Sequence, residues 1–309
     1  MRRAGIIHNR PSLPSGALPI AAALAGLLAG APGWAQAFDF TPVRVEASYT
    51  SDSNVTRAPA GEVLPDHVLG ARVTAGLVQP VSTSTRALFQ GFVGGEKFQT
   101  YHGLSHNFIG GQGEYQYRSS GEFGAATYAA FLRSMADSYE SNLRDGYRHA
   151  FGVTVLKPAT DRVTLFGALV RNISDGKSTV FDARNTSLRG NADWSLSRWD
   201  TVYLGAEYRR GDSISTVSRN DPTRTLGFIN TANAIIQDDA FSDTRDAYRL
   251  KATTLIASLG YNRAFGAGQA VDVSWRRAQS SIQNAVGPLS GSDLRYTVNQ
   301  YALAYLVRF

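Results

Sequence analysis

Hydrophobic and polar residues alternate with a period of two along most of this chain after residue 42. Successive side chains of a strand point to opposite faces, so such alternation predicts strands with one apolar and one polar face. Val43, Val45, Ala47 and Tyr49 share a face in Val43–Thr50; Leu69, Ala71, Val73, Ala75 and Leu77 share one in His67–Val78. Thr85–Phe98, Asn107–Arg118, Glu122–Ser134, Tyr147–Lys157, Thr186–Leu196 and Thr201–Arg210 follow the same pattern, as do Arg249–Arg263, Gln269–Ser280 and Leu294–Phe309. Arg162–Arg171 is nearly all apolar, which leaves its facing open. The pattern predicts about twelve strands (ten to fourteen) of roughly ten residues each, the signature of a transmembrane antiparallel up-and-down β-barrel.

The connections support this all-β reading. Pro80–Ser84, Ser119–Gly121, Pro158–Asp161, Ser197–Asp200 and Gly266–Gly268 are short. Between them lie Ser51–Asp66, Gln99–His106, Ala136–Gly146, Asn172–Asn185, Gly211–Tyr248 and Ser281–Asp293, which are longer and polar. Strict alternation of short and long is what short periplasmic turns and longer external loops produce. The longest, Gly211–Tyr248, carries the apolar stretches Leu226–Ile229 and Ala232–Ile236. A loop of that kind either folds inward as a constriction or stays mobile at the surface.

The amino-terminal segment is different. Arg2, Arg3 and Arg10 precede an apolar stretch at Ala17–Ala31, too short to span a bilayer, and then Gly33-Trp34-Ala35-Gln36-Ala37. This predicts an exported precursor cleaved after Ala37, with residues 1–37 as signal peptide and 38–309 as barrel. The leader holds three of the 31 basic residues and none of the 25 acidic ones, so the mature chain is less basic than the whole. Cysteine is absent, which excludes disulfides, thiolate metal sites and a lipidated amino-terminal cysteine. No cofactor or metal site is expected. Nothing in the charge or the motifs suggests a nucleic-acid partner.

If the apolar faces meet lipid, the opposite faces line a lumen. That set comprises Arg44, Glu46, Arg72, Gln90, Glu96, Gln112, Glu114, Gln116, Arg118, Arg148, Arg189, Asn191, Asp193, Glu207, Arg209, Asp272, Arg276 and Arg308. Arginine outweighs carboxylate there, and its fixed fork suits carboxylates and phosphates. Two readings compete: a column of arginine selecting small anionic or polar solutes, or arginine and carboxylate neutralising one another in a filled barrel.

Catalytic and metal readings are weaker. A lipid-facing hydrolase needs Ser, His and an orienting Asn or Asp in reach; His149 with Ser134 or Ser187 is the nearest approach. His102 and His106 have helical ligand spacing but fall in an expected loop. Asp52 with Asn54, and Asp238-Asp239, are loop-tip carboxylates that suit calcium only as surface groups.

Two segments carry a family resemblance. The chain ends with Tyr301, Leu303, Tyr305, Val307 and Phe309 on one face, and this resembles the closing strand of bacterial outer-membrane β-barrels, whose terminal Phe helps the assembly machinery recognise them. Tyr49-Thr50-Ser51-Asp52-Ser53-Asn54-Val55 resembles the opening of poorly characterised outer-membrane barrels grouped as β-barrel porins. The resemblance implies an outer-membrane address, outer-membrane lipid and the assembly machinery as partners, and a transport role. The expected function is a porin-like channel for small polar or anionic solutes. The alternative is a closed structural barrel whose external loops bind a surface partner or polysaccharide, and a lipolytic enzyme comes third.

Overall fold

The computed structural model describes residues 39–220, 222–242, 244–283, 285 and 294–309. The expected signal peptide and its cleavage point lie outside them. Twelve strands form one closed antiparallel barrel: β1 (Asp39–Asp52), β2 (Asp66–Pro80), β3 (Thr85–Phe98), β4 (His106–Arg118), β5 (Thr127–Tyr139), β6 (Gly146–Pro158), β7 (Val163–Gly176), β8 (Ala183–Ser195), β9 (Asp200–Ser218), β11 (Arg245–Ala264), β12 (Gln269–Ile282) and β13 (Tyr296–Arg308). A helix α1 (Pro222–Thr231) and a short strand β10 (Ala234–Gln237) sit between β9 and β11. The barrel closes where β13 meets β1, with Val45 opposite Val307 and Tyr49 opposite Leu303. Closure leaves no barrel edge unpaired, which a lipid-embedded sheet requires. The β1–β2 register slips between Thr41 and Arg44, around Pro42, which has no N–H to give to the ladder.

The two faces separate as the alternation predicts. Leu69, Leu132, Leu188, Leu204, Leu255 and Tyr301 are among the most exposed large apolar residues and all lie on the outer face. The ambiguous segment is settled by its register: Leu165 and Leu169 point outward, Ala168 and Val170 inward, where both are buried. An apolar residue on the inner face blurred the period in β7.

Two expectations about the connections need correction. The turns 81–84, 159–162, 196–199 and 265–268 are short, but 119–126 is longer than 99–105, 140–145 or 177–182. Length therefore does not alternate strictly. Residues 136–139, 172–176 and 211–218, which polarity alone assigns to loop, extend β5, β7 and β9. Backbone pairing needs no apolar side chain, so strands continue past the band that faces lipid. Conversely, β5 starts at Thr127 rather than Glu122; the Ser119–Gly124 segment turns, with Gly124 at φ +82°, a left-handed conformation.

The β9–β11 hairpin departs from the barrel wall. Beyond Gly211 (φ +145°) it has left β8, and β9 stays paired with β11 up to Ser218 opposite Arg245. Both faces of this extension are covered. Val217, Tyr248 and Leu250 pack with Phe228 of α1, Ala58, Ile282 and Leu294. On the other face Ile214 and Ala247 pack with Leu143, Val180, Phe181 and the β10 residues Ala234 and Ile236. A hairpin standing in the wall would leave one face to solvent or lipid; this one lies among the loops at their end of the barrel.

Candidate functional site

The barrel interior and the loops over it form the candidate site. Inward facing follows from side chains that meet across the barrel. Tyr203 on β9 donates to Asp272 on β12, 2.8 Å away, passing over Gly260 of the intervening β11. A Cβ at Gly260 would stand 2.1 Å from the Tyr203 ring, so this crossing requires glycine there. The cross-strand registers then carry the inner face around the barrel: Glu46 opposite Arg72, Gln112 opposite Arg133, Arg189 opposite Glu207, and Arg276 opposite Gln300. Every residue expected in the lumen falls on this face.

Its members are not equivalent. Arg44 and Arg308 are paired in register beside the turn end, and Arg118 is there too, its guanidinium donating to the Glu122 carbonyl at 3.2 Å. Arg148 holds Asp137 through two hydrogen bonds, Nε–Oδ2 being 2.6 Å. Glu207 serves both Arg189 (3.3 Å) and Arg209 (2.7 Å). Away from the turn end, three inner arginines have no carboxylate within ion-pair reach among the described residues. Arg72 stacks on the Phe92 ring, 4.3 Å from its centroid. Arg133 donates to Gln112 at 3.0 Å, and Arg276 to Gln300 at 3.3 Å. Arg133 faces the charges of Arg72, Arg189 and Arg148; Arg276 faces Arg209, Arg57 and Arg189, and also the opposite charge of Glu207.

The inner carboxylates divide likewise. Glu114 accepts from Gln112 and Gln116, Asp193 from Asn191, and Asp272 from Tyr203 and Asn262. These three therefore stand among neutral donors, in the half of the barrel nearer the turns. Apart from those at the turn end, the arginines gather from mid-barrel toward the loops. Neutralisation of arginine by carboxylate is thus partial.

A cavity of about 260 Å³ lies against the inner faces of β1, β2, β3, β12 and β13, with Arg57 of the loop 53–65 over it, lined by Ser48, Asp52, Arg57, Glu96, Arg276 and Gln300, among others. Arg57, at φ +55°, clasps Asp52 with both terminal nitrogens (2.9 and 2.8 Å), and Gln300 donates to the same carboxylate at 2.7 Å. Burial disfavours the charged Arg57 side chain, but the Asp52 contacts outweigh it and raise its pKa. Arg57 and Arg133 belong to the inner charge set yet were not singled out in the sequence. Arg133 was legible: with Tyr128, Ala130 and Leu132 outward, residue 133 must face in. Arg57 lies in a loop, where no period applies.

The hairpin reaches all five other connections at its end of the barrel. Thr216 N–H donates to the Thr56 carbonyl (2.8 Å), and Arg245 pairs with Glu62 (3.4 Å). Phe241 packs on Tyr101 with ring centroids 5.0 Å apart. Arg144 pairs with Asp238 (2.6 Å), Arg249 donates to the Thr179 and Asp182 carbonyls (2.7 Å each), and Gln283 N–H donates to the Lys251 carbonyl. Asp238 is buried and also accepts from Thr216 and the Ala240 N–H. Asp238→Ala leaves Arg144 and Thr216 unpaired, a loss of about 3 kcal/mol to local closure. The expected outcome is faster trypsin cleavage around residues 219–249, with the heat-shifted gel mobility of the folded barrel retained.

The remaining candidates resolve plainly. His102 and His106 do not converge: each ring bonds a nearby carbonyl, Phe98 and Leu104, and His106 stacks on Tyr139 at 4.4 Å. The oxygens of Asp52 and Asp238 are taken by guanidinium and amide donors, and no group of three metal-ligating side chains occurs among the described residues. Ser134 and His149 do meet, Oγ to Nδ1 2.9 Å, on the outer face, whereas Ser187 points inward on β8 and is no partner for His149. Among the described residues no Asn or Asp orients the His149 ring. Tyr49 and His67 form a matching hydroxyl–imidazole pair at the rim (2.9 Å), so this pairing recurs as an interfacial feature.

No family model and no curated protein matches the chain. Solved structures do. An outer membrane channel from Pseudomonas putida F1 is similar over 90% of this chain and 99% of its own, at 13% identity and a TM-score of 0.53. KdgM porin, in a complex with disordered oligogalacturonate, covers 86% and 99% at 9% identity and 0.45; NanC porin covers 86% and 100% at 12% and 0.43. The fold is that of the outer-membrane β-barrels.

Proposed function

We propose that this chain is an outer-membrane channel for small polar and anionic solutes, exported by its leader and inserted through its closing strand. The observation that carries the reading is the set Arg72, Arg133 and Arg276, which lack carboxylate partners and face further arginines. Like charges held together in a restricted interior leave an unbalanced positive field, and a mobile anion lowers its energy. The turn end offers an entry lined by Arg44, Arg118 and Arg308.

A second reading has its own support. The hairpin engages every other connection at its end of the barrel, as a closed barrel presenting a loop surface to a partner would. Liposome swelling separates the two. The channel reading predicts entry of small acidic sugars faster than size-matched neutral ones. Swelling no faster than in protein-free liposomes would select the closed barrel.

A further inference from the structure

We infer that the outer wall at β7–β8–β9–β11 binds the phosphate groups of an outer-leaflet lipid. Two successive rows of outward side chains cross these four strands in register, and a third continues above them, paired only within β7–β8 and within β9–β11. The lowest is apolar: Leu169, Leu188, Tyr208 and Leu255. The next alternates guanidinium and hydroxyl, Arg171, Thr186, Arg210 and Thr253, with Arg171 donating to Thr186 at 2.9 Å. Above it stand Ile173, Arg184, Asp212 and Lys251. The lower row faces lipid, all four residues being exposed and apolar or aromatic. The cations therefore begin where the apolar band ends, on the loop side, at the depth of lipid headgroups.

The charge is available. Asp212 is occupied by Lys251 (2.6 Å) and by the Arg184 backbone N–H. Arg171, Arg184 and Arg210 have no carboxylate within ion-pair reach among the described residues, and Asp175 is the other acidic side chain of this part of the outer face. Neighbouring strands are about 4.8 Å apart, so Arg171 and Arg210 stand about 10 Å apart with Arg184 rising between them. Guanidinium forks at that spacing suit a lipid carrying more than one phosphate, with its acyl chains against the leucine row. The loop-side outer face of β1–β6 carries Lys97 as its one lysine or arginine, and Arg277 on β12 stands outward beside Ala257 of β11, so the outer cations cluster on the β7–β12 side of the barrel.

The test uses delipidated protein in detergent, incubated with diphosphorylated lipid A and read by native mass spectrometry. Wild type is expected to retain that lipid and not its dephosphorylated analogue. R171Q/R184Q/R210Q is expected to weaken retention by about fivefold per cation, about a hundredfold together. Arg162→Gln with Arg198→Gln, at the turn end, should change nothing. Equal retention of the dephosphorylated lipid would overturn the proposal, as would an unchanged triple variant. Inorganic phosphate displacing the lipid at equal concentration would also overturn it, by locating the affinity in a free anion. The dephosphorylated-lipid arm needs only wild type, so the proposal stays open to refutation if the triple variant misfolds. None of these readouts depends on conduction.

Discussion

Removing the hairpin that lies among the loops is expected to raise single-channel conductance severalfold. The informative deletion replaces residues 213–250 by Asn-Gly between Asp212 and Lys251. These two are register partners and ion-paired, so a two-residue turn joins them without altering the wall below. The deletion takes away Val217, Phe228, Tyr248 and Leu250, whose burial against Ala58, Ile282 and Leu294 anchors one face of the hairpin. It also removes Asp238 and Asp239, which hold loop 140–145 through Arg144 and Ser141. All twelve wall strands keep their neighbours, because β8–β9 pairing ends at Gly211 and β11–β12 pairing begins at Ala252. An unchanged conductance would mean that the hairpin does not obstruct the path.

The second large effect concerns selectivity. R72Q/R133Q/R276Q is expected to abolish anion preference while leaving conductance of the same order. An anion about 8 Å from one such guanidinium gains about 2 kcal/mol at an effective dielectric of 20, so losing three should cut the anion-to-cation permeability ratio by at least about tenfold. Glutamine keeps most of the side-chain volume and can still hydrogen-bond. Arg148, Arg189 and Arg209 remain, but Asp137 and Glu207 share their charge. Glu114, Asp193 and Asp272 then face Arg44, Arg118 and Arg308 in the turn-end half, and the residual field is close to balanced. Raising the ionic strength should shrink the wild-type preference, since mobile ions screen the field.

The barrel itself was legible because lipid on one side and polar groups on the other impose a period of two on every strand that crosses. All twelve strands and the inner facing of Arg72, Arg189, Glu207 and Arg276 follow from that period. Where one side is not lipid the signal fails. Val170 on the inner face blurred β7, and the polar extensions 172–176 and 211–218 read as loop although their backbones continue the ladder. The Asp52–Arg57 clasp and the Asp238–Arg144 pair were out of reach, since each depends on how a loop folds back in three dimensions. Which arginines lack a carboxylate was equally hidden. Arg189 and Arg209 share Glu207 through one cross-strand and one same-strand contact, an arrangement that composition cannot distinguish from an even mixture of charges.

The most direct measurement is the reversal potential of wild-type protein in a planar bilayer under a potassium chloride gradient. A channel whose field is set by Arg72, Arg133 and Arg276 predicts a potential of the sign for chloride preference, reduced toward zero in R72Q/R133Q/R276Q. No conductance at all, or a potential of the opposite sign, would contradict it.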